Sequence, residues 1–595
     1  MTKRKRSSSI KKSMPLILLM VAMVASVIYI PKLLSKRSME SRASAFNETG
    51  NNFFVDKDNK GGKGCNDTWP GTIDQPFCTV AKGLSTFSPG DNLYIRAGIY
   101  APFVVTRSGS SNAYFNISAY NNEKVVVKGG TAAIKLSGVS YVRIYGFEVT
   151  GAIGSWGGAI YVTPNGSAIP NHNIIENNSV HNNNTSGTNT NGILIEDGSY
   201  NQVLNNITYA NDLSGIRVLS HATKSPNGVT GNEVTGNISY NNTGSGGNSD
   251  GISLEGSGTK NTLVSNNTTY GNSDDGIDSW NTSHNVITGN IAYGQVGTGD
   301  GNGIKVGGGV TGGYNLVKQN ISYGNKARGF DPNGTGGNVF YNNTAYNNKY
   351  GFDDGWKESP CTFTTCQDTY INNIGYNNTT ANFVASAYVN VSHNNLWYSD
   401  SGSPKVLYNY VSASSLAAFY TASGNRLDNP NAGSLSSLSA NPKFTNAAGG
   451  VFTLLSGSPT IDHGDPANPG QIGAVNVPDM GAIEFGSSSG TTPTPTPTVV
   501  VSGDTIAPQV SITLPANGAT FSTRSTVSIS AVGTDNIGVS KMEFYVNNSL
   551  VSSVTSSSYT YKFKTSNRAK TYSIIVKATD KSGNVGSSSI TISTK

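Results

Sequence analysis

Asn267-Thr268-Thr269-Tyr270, Asn290-Ile291-Ala292-Tyr293 and Asn320-Ile321-Ser322-Tyr323 repeat one four-residue pattern through the middle of a 595-residue chain. The same pattern begins at Asn206, Asn237, Asn343 and Asn373. Its closing tyrosines, Tyr209, Tyr240, Tyr270, Tyr293, Tyr323, Tyr346 and Tyr376, stand 31, 30, 23, 30, 23 and 30 residues apart. A second series keeps step with them: Gly192-Ile193, Gly215-Ile216, Gly251-Ile252, Gly276-Ile277, Gly303-Ile304, Gly329-Phe330 and Gly351-Phe352. Short Val/Ile-rich segments such as Asn285–Ile287 and Asn315–Val317 lie between the two. Several short strands in each unit, with Asn and Gly at the turns, predict a parallel β-helix. Leucine-rich repeats share the period but need several leucines per unit, which are missing, and a propeller blade needs about 40 residues. An asparagine recurring at one turn position can bond its counterparts in the rungs above and below, which satisfies polar groups inside the coil.

Outward from the repeat, the coil is expected over 51–486. It opens near Phe53 with an amphipathic cap at Val80–Phe87 and first strands at Asn92–Ile95 and Val125–Val127. A Ser/Gly stretch and the run Thr491-Thr492-Pro493-Thr494-Pro495-Thr496-Pro497 make 487–505 a stiff linker. Residues 506–595 alternate apolar and polar at Val510–Leu514, Met542–Val546 and Ser573–Val576, the pattern of an immunoglobulin-like sandwich. The chain is therefore read as all-β, a β-helix followed by a C-terminal immunoglobulin-like β-sandwich.

Composition agrees. Only 13% of residues are charged and 70 are glycine. Disorder, collagen and helical bundles each need a different balance. Low charge suits stacked rungs, because like charges repeated at rung spacing repel. The formal charge of +6 is misleading. Lys3, Arg4, Lys5, Arg6, Lys11 and Lys12 precede an apolar run from Leu16 to Ile30, so 1–45 reads as an export signal or signal anchor. The run is short for a membrane span of about 20 residues. Without residues 1–42 the chain carries 31 Lys and Arg against 34 Asp and Glu. No basic stripe with interleaved aromatics points to nucleic acid. The protein is expected outside the cell, secreted or surface-anchored, as a monomer. Four cysteines in an exported chain, grouped as two close pairs, suggest Cys65–Cys78 and Cys361–Cys366 disulfides.

The chemistry lies beside the Gly-Ile series. If Ile252, Ile277 and Ile304 point inward, the residues after them point outward. That outward column reads Arg217, Ser253, Asp278, Lys305, Asp331, Asp353. Asp250, then Asp274 and Asp275, stand just before the glycines. Four carboxylates on successive rungs, about 4.7–4.9 Å apart, are costly unless a cation neutralises them, and hard oxygen ligands suit Ca²⁺. The plainer reading stands beside it: Asp before Gly is an ordinary turn residue, and Asp278 with Lys305 would also make a simple inter-rung ion pair.

Asn248-Ser249-Asp250-Gly251, Asn272-Ser273-Asp274-Asp275-Gly276-Ile277-Asp278-Ser279-Trp280, Gly301-Asn302-Gly303-Ile304-Lys305-Val306-Gly307-Gly308 and Asn325-Lys326-Ala327-Arg328-Gly329-Phe330-Asp331 occur in that order. Together they resemble the core of polysaccharide lyase family 9, whose members include pectate lyases. The resemblance covers roughly 240–350 well and implies a right-handed coil. It implies Ca²⁺ held by Asp250, Asp274, Asp275 and Asp278, Lys305 as the Brønsted base, and Lys326 and Arg328 as contacts to an acidic polysaccharide, galacturonan first. Ile304 and Val306 replace the family's usual Phe and Leu. The alternatives left open are a surface adhesin with a structural Ca²⁺, a uronate epimerase and a polygalacturonase, although the coil lacks the Gly-His-Gly and Arg-x-Lys motifs of the last.

Overall fold

The computed structural model describes residues 50–486 and 507–595, except for 87, 184–186, 188, 222–227, 245–246, 310, 357–365, 468–476, 535–538, 548, 555–557 and 581–583. The expected export segment, the linker 487–505, Phe87 and Cys361 lie outside the described residues. The chain divides into two compact units at Thr492 and Pro493.

The first unit is a parallel β-helix. Its strands form three long sheets of 13, 13 and 12 strands. One coil supplies Leu263–Ser265, Thr268–Tyr270 and Ile277–Trp280, and these pair in register with Val286–Thr288, Ile291–Tyr293 and Ile304–Gly307 of the next. The inward column is apolar: Ile252, Ile277, Ile304 and Phe330 are fully buried. The expected strands Asn285–Ile287 and Asn315–Val317 begin one residue later than their apolar pattern suggests. Asn285 and Asn315 are corner residues, and the Asn285 amide N–H donates to Asn315 Oδ1 at 3.0 Å.

Asparagine ladders run up the corners. Asn206, Asn237, Asn267, Asn290 and Asn320 each donate from Nδ2 to the next one's Oδ1 (Asn237, Asn267, Asn290, Asn320 and Asn343) at 2.9–3.0 Å. A second column, Asn211, Asn242 and Asn272, continues the same way into Gln295. The repeat tyrosines stack outside, with Tyr209, Tyr240, Tyr270, Tyr293 and Tyr323 at 4.7–5.0 Å between successive ring centroids. Each ladder satisfies buried amides that have no access to water, so the asparagines hold the corners as the isoleucines hold the core.

Both open edges are covered. Helix Val80–Thr86 packs its Gly83 against Leu93 beside a Cys65–Cys78 disulfide. Cys366 is disulfide-bonded too. At the far end the rungs stop at Val406–Tyr408, well before residue 486. There an antiparallel hairpin strand, Val411–Ala413, and helix Leu416–Ala422, N-capped by Ser415, close the stack. The chain then returns along the coil, seating Phe452 on Tyr323 and Tyr346.

The second unit packs a three-stranded sheet on a five-stranded one, an immunoglobulin-like sandwich. Val527, Ile529, Met542, Phe544, Ile574 and Val576 form its core.

Candidate active site

The outward column holds in the register: Arg217 pairs with Ser253, Ser253 with Asp278, Asp278 with Lys305, and Lys305 with Asp331. It is not a solvent-facing column, however. Asp278 and Lys305 are each 8% exposed and Asp331 3%.

The glycines at the corner make room for this crowding. A Cβ on Gly276 would lie 2.6 Å from Gly303 O and 2.6 Å from Thr269 Oγ1. With the corners that tight, the residue just before each glycine enters a ladder of its own. Asp250 Oδ1 accepts from the Asp275 amide at 3.1 Å, Asp275 Oδ1 from the Asn302 amide at 2.7 Å, and Asn302 Oδ1 from the Arg328 amide at 3.1 Å. Asp250 and Asp275 thus use one oxygen as an asparagine ladder would. The second oxygen, where asparagine carries an NH₂, becomes a buried acceptor instead of a donor.

Those spare oxygens converge. Carboxylate oxygens of Asp250, Asp275 and Asp278 lie within 4.8 Å of one another, as do those of Asp274, Asp275 and Asp300, with Asp275 common to both groups. Asp278 Oδ1 is buried with no hydrogen-bond partner, and so is Asp275 Oδ2. Lys305 Nζ is 3.1 Å from Asp275 Oδ2, near enough for an ion pair though misaligned for a hydrogen bond, and 3.6 Å from Asp278 Oδ2. A set of hard oxygen donors left over after all backbone bonds are made fits Ca²⁺.

Asp300 is absent from the sequence expectation. Its carboxylate accepts from Lys305 Nζ at 3.2 Å, and its amide donates to Asp274 Oδ1 at 2.6 Å. Asp300 belongs to neither the Asp-before-Gly nor the outward column; the fold of loop 297–301 brings it in. Its signal is faint: Gly299-Asp300-Gly301 sits immediately before Asn302-Gly303. A Cβ on Gly299 would lie 2.3 Å from Asp274 Oδ1, so only glycine lets that loop close on the cluster.

Electrostatics follow from burial. The carboxyls of Asp250 and Asp275 are pushed well above the usual range, first by burial; for Asp250 the neighbouring aspartates add to it, while for Asp275 Lys305 opposes it. Asp274 is raised mainly by burial, and Asp278 is raised to about 7 by burial against the pull of Lys305. Burial on its own would lower the Lys305 ammonium, but Asp278, Asp275, Asp300 and Asp250 outweigh it and hold the pKa above the ordinary lysine value.

Lys326 and Arg328, expected at the substrate, both make bonds within the coil. Lys326 Nζ donates to Gly297 O at 2.9 Å and Gly299 O at 3.1 Å, which braces the loop carrying Asp300. Arg328 Nε donates to Asp353 Oδ2 at 2.7 Å, and its guanidinium lies 3.6 Å from Asp331 Oδ2. Arg328 thereby neutralises the two aspartates that continue the outward column. An open groove of ≈ 440 Å³ leads to Lys305, lined by Asn248, Asp274, Thr298 and Asp300. Trp280 ends the Asp278 strand, 45% exposed, with its indole against Gly308; a Cβ there would lie 2.6 Å from Trp280 Cδ1. An exposed indole packed against a glycine offers a surface on which a sugar ring can stack.

The model of the Pel9A-like, right-handed β-helix region matches residues 62–359, half of the chain, and that of a bacterial Ig domain matches 508–592. Pectate lyase L of Dickeya dadantii (strain 3937) is 28% identical over 291 residues, 46% of this chain and 62% of that protein. Pectate lyase L of Dickeya chrysanthemi is 27% identical over 286 residues, 45% of this chain and 60% of that one. The chain thus spans under two thirds of either relative. A solved rhamnogalacturonan lyase aligns at 20% identity over 55% of this chain and 82% of its own, with a TM-score of 0.37, too loose a likeness to weigh. On the match over its coil, the chain belongs to the Pel9A-like right-handed β-helix family, with a bacterial Ig domain at its C-terminal end.

Proposed function

We propose that this protein is a polysaccharide lyase that cleaves polygalacturonate by β-elimination, outside the cell, with Lys305 as the base and Ca²⁺ held by Asp250, Asp274, Asp275 and Asp278. The observation that carries the reading is the position of Lys305: a buried amine among aspartates, two of which, Asp275 and Asp278, each keep one buried oxygen without a hydrogen-bond partner. An adhesin with a structural Ca²⁺ has no need of that lysine. The pectate lyase relatives and the family match support a β-helix polysaccharide lyase.

In the reaction Lys305 Nζ accepts the C5 proton, which lies α to the uronate carboxylate. The electron pair released forms the C4=C5 double bond as the C4–O4 bond breaks, and the departing oxygen takes a proton from water. A bound Ca²⁺ would neutralise the uronate carboxylate and the negative charge that grows on it as the proton leaves. Lys305 must be neutral to act, and in the metal-free cluster its carboxylate neighbours keep it protonated. Engaging Asp275 and Asp278 elsewhere frees the amine of its strongest partners, so catalysis and metal loading are linked. Asp300, exposed at the groove, holds Nζ from the solvent side. The deciding test is the ultraviolet absorbance of a 4,5-unsaturated product from polygalacturonate. It should require Ca²⁺ and rise at alkaline pH; full activity in excess chelator overturns the reading.

A further inference from the structure

The two units carry opposite charge. Over 51–486 the coil has 22 Lys and Arg against 29 Asp and Glu, whereas 506–595 has nine against three. The sandwich also concentrates its cations. Strand Thr526–Thr534 runs its full length: Thr526 pairs with Lys564 at one end, and Thr534 with Gln509 at the other. Nine residues of strand separate those ends by about 27 Å.

At the Thr526 end two loops are stitched together. The Arg524 amide donates to Ser566 O at 3.0 Å, and Thr565 N to Ser525 O at 2.9 Å. Lys570 and Thr594 exchange bonds through the Lys570 amide to Thr594 Oγ1 at 3.0 Å and the Thr594 amide to Lys570 O at 2.9 Å. Arg524, Lys564, Arg568 and Lys570 therefore gather at one tip, all exposed. Among the described residues no carboxylate lies within ion-pair distance of any of them; the one lysine–glutamate pair of the sandwich, Lys541 with Glu543 at 3.0 Å, is mid-strand. Asp580 stands at the opposite end, paired in register with Val539. Pro508 lies at that opposite end as well, packing on Gly586, and Gln509 pairs with Thr534. The cationic tip is thus the end of the sandwich farthest from Pro508.

We infer that this tip is a binding site for an acidic polysaccharide, the polyuronate on which the coil acts. The identity of the polymer rests on the function proposed above; the charge polarity does not. A coil with excess acid repels a polyanion, and Ca²⁺ held at its cluster would attract only the few uronates in the groove. A cationic tip without a carboxylate partner, on a tethered module, attracts the polymer over a Debye length and raises its concentration near the coil. Long-range attraction needs no pocket.

The test uses the full chain carrying Lys305→Ala, so that the polymer survives, and immobilised polygalacturonate. Arg524→Ser, Lys564→Ser, Arg568→Ser and Lys570→Ser are combined in one variant, with Lys541→Ser as the control. The combined variant should weaken binding about tenfold and lose most of its dependence on salt, while the control stays within about twofold. Both should keep the parent's thermal unfolding profile. With Lys305 restored, the combined variant should turn over trigalacturonate at the parent rate and long polymer more slowly. Unchanged polymer binding by the combined variant overturns the inference, and so does binding of duplex DNA or anionic lipid vesicles as tight as that of polygalacturonate. If no unsaturated product forms yet binding still depends on the tip, the lyase reading falls and the tip stands.

Discussion

Lys305 Nζ and Asp275 Oδ2 are 3.1 Å apart, and Asp275 spends its other oxygen on the Asn302 amide one rung further on. The residue that continues a structural ladder is therefore also the one that faces the base. Stability and chemistry are coupled at this carboxylate.

Lys305→Ala should abolish elimination, with kcat falling at least about 10³-fold while KM changes little, since general bases contribute roughly 10²–10⁴-fold. Lys305→Arg should be as inactive, because guanidinium stays protonated. Product absorbance reads the loss. The alanine variant should also depend more on Ca²⁺ for its thermal midpoint, because its carboxylates lose their internal counter-ion.

Metal-free stability should fall as pH rises. Asp278 keeps its proton to about pH 7 in the folded state, whereas an unfolded aspartate releases it near the ordinary value of 3.8. Between those limits the folded chain binds more protons, so unfolding free energy decreases with pH through that window and levels off above it. The gap in thermal midpoint between Ca²⁺ and chelator should widen from about pH 4 to about pH 7. Asp278→Asn should narrow it. A gap that is constant with pH would count against Ca²⁺ at these aspartates.

Removing Asp300 should move the pH profile, not the metal. Its carboxylate is 60% exposed and raises the Lys305 pKa from 3.2 Å. Exposed pairs contribute up to about 1 kcal/mol, at most about 0.7 of a pH unit. In Asp300→Asn the rise of kcat/KM with pH should begin about half a unit lower, with little change in Ca²⁺ affinity. Loss of Ca²⁺ binding instead would make Asp300 a ligand.

Trp280→Ala should raise KM for oligogalacturonates about tenfold and leave the thermal midpoint nearly unchanged. Covering about 50 Å² of indole at about 25 cal/mol per Å² contributes roughly 1.3 kcal/mol. Isothermal titration with Lys305→Ala, Trp280→Ala protein measures the binding directly.

Asn267→Ala should destabilise the coil by about 3 kcal/mol or more in urea unfolding. Asn267 accepts from the Asn237 amide and Nδ2 and donates to Val234 O and Asn290 Oδ1, all buried. Each orphaned group costs about 1–3 kcal/mol.

Much of this was readable in the chain. Period and residue type determined the coil, because each rung must repeat the same contacts as its neighbours: isoleucine inward, asparagine at the corner, tyrosine outside. The same logic puts Asp278 beside Lys305. It also names Asp250 and Asp275, which stand just before the glycines of the Gly-Ile series. The repeat is silent where the chain leaves it. Asp300 arrives on a loop, Lys326 and Arg328 turn to brace loop and column, and Trp280 lies on Gly308 through a cross-rung contact. The polarity of the sandwich is hidden likewise, because Arg524 and Lys570 are far apart in the chain and adjacent at its tip. Sequence by itself determined the parts governed by rung-to-rung periodicity, where a neighbour in space is a fixed number of residues away. Tertiary structure alone decided the parts carried by loops, where that relation is lost and sterics, hydrogen bonds and burial choose the partner.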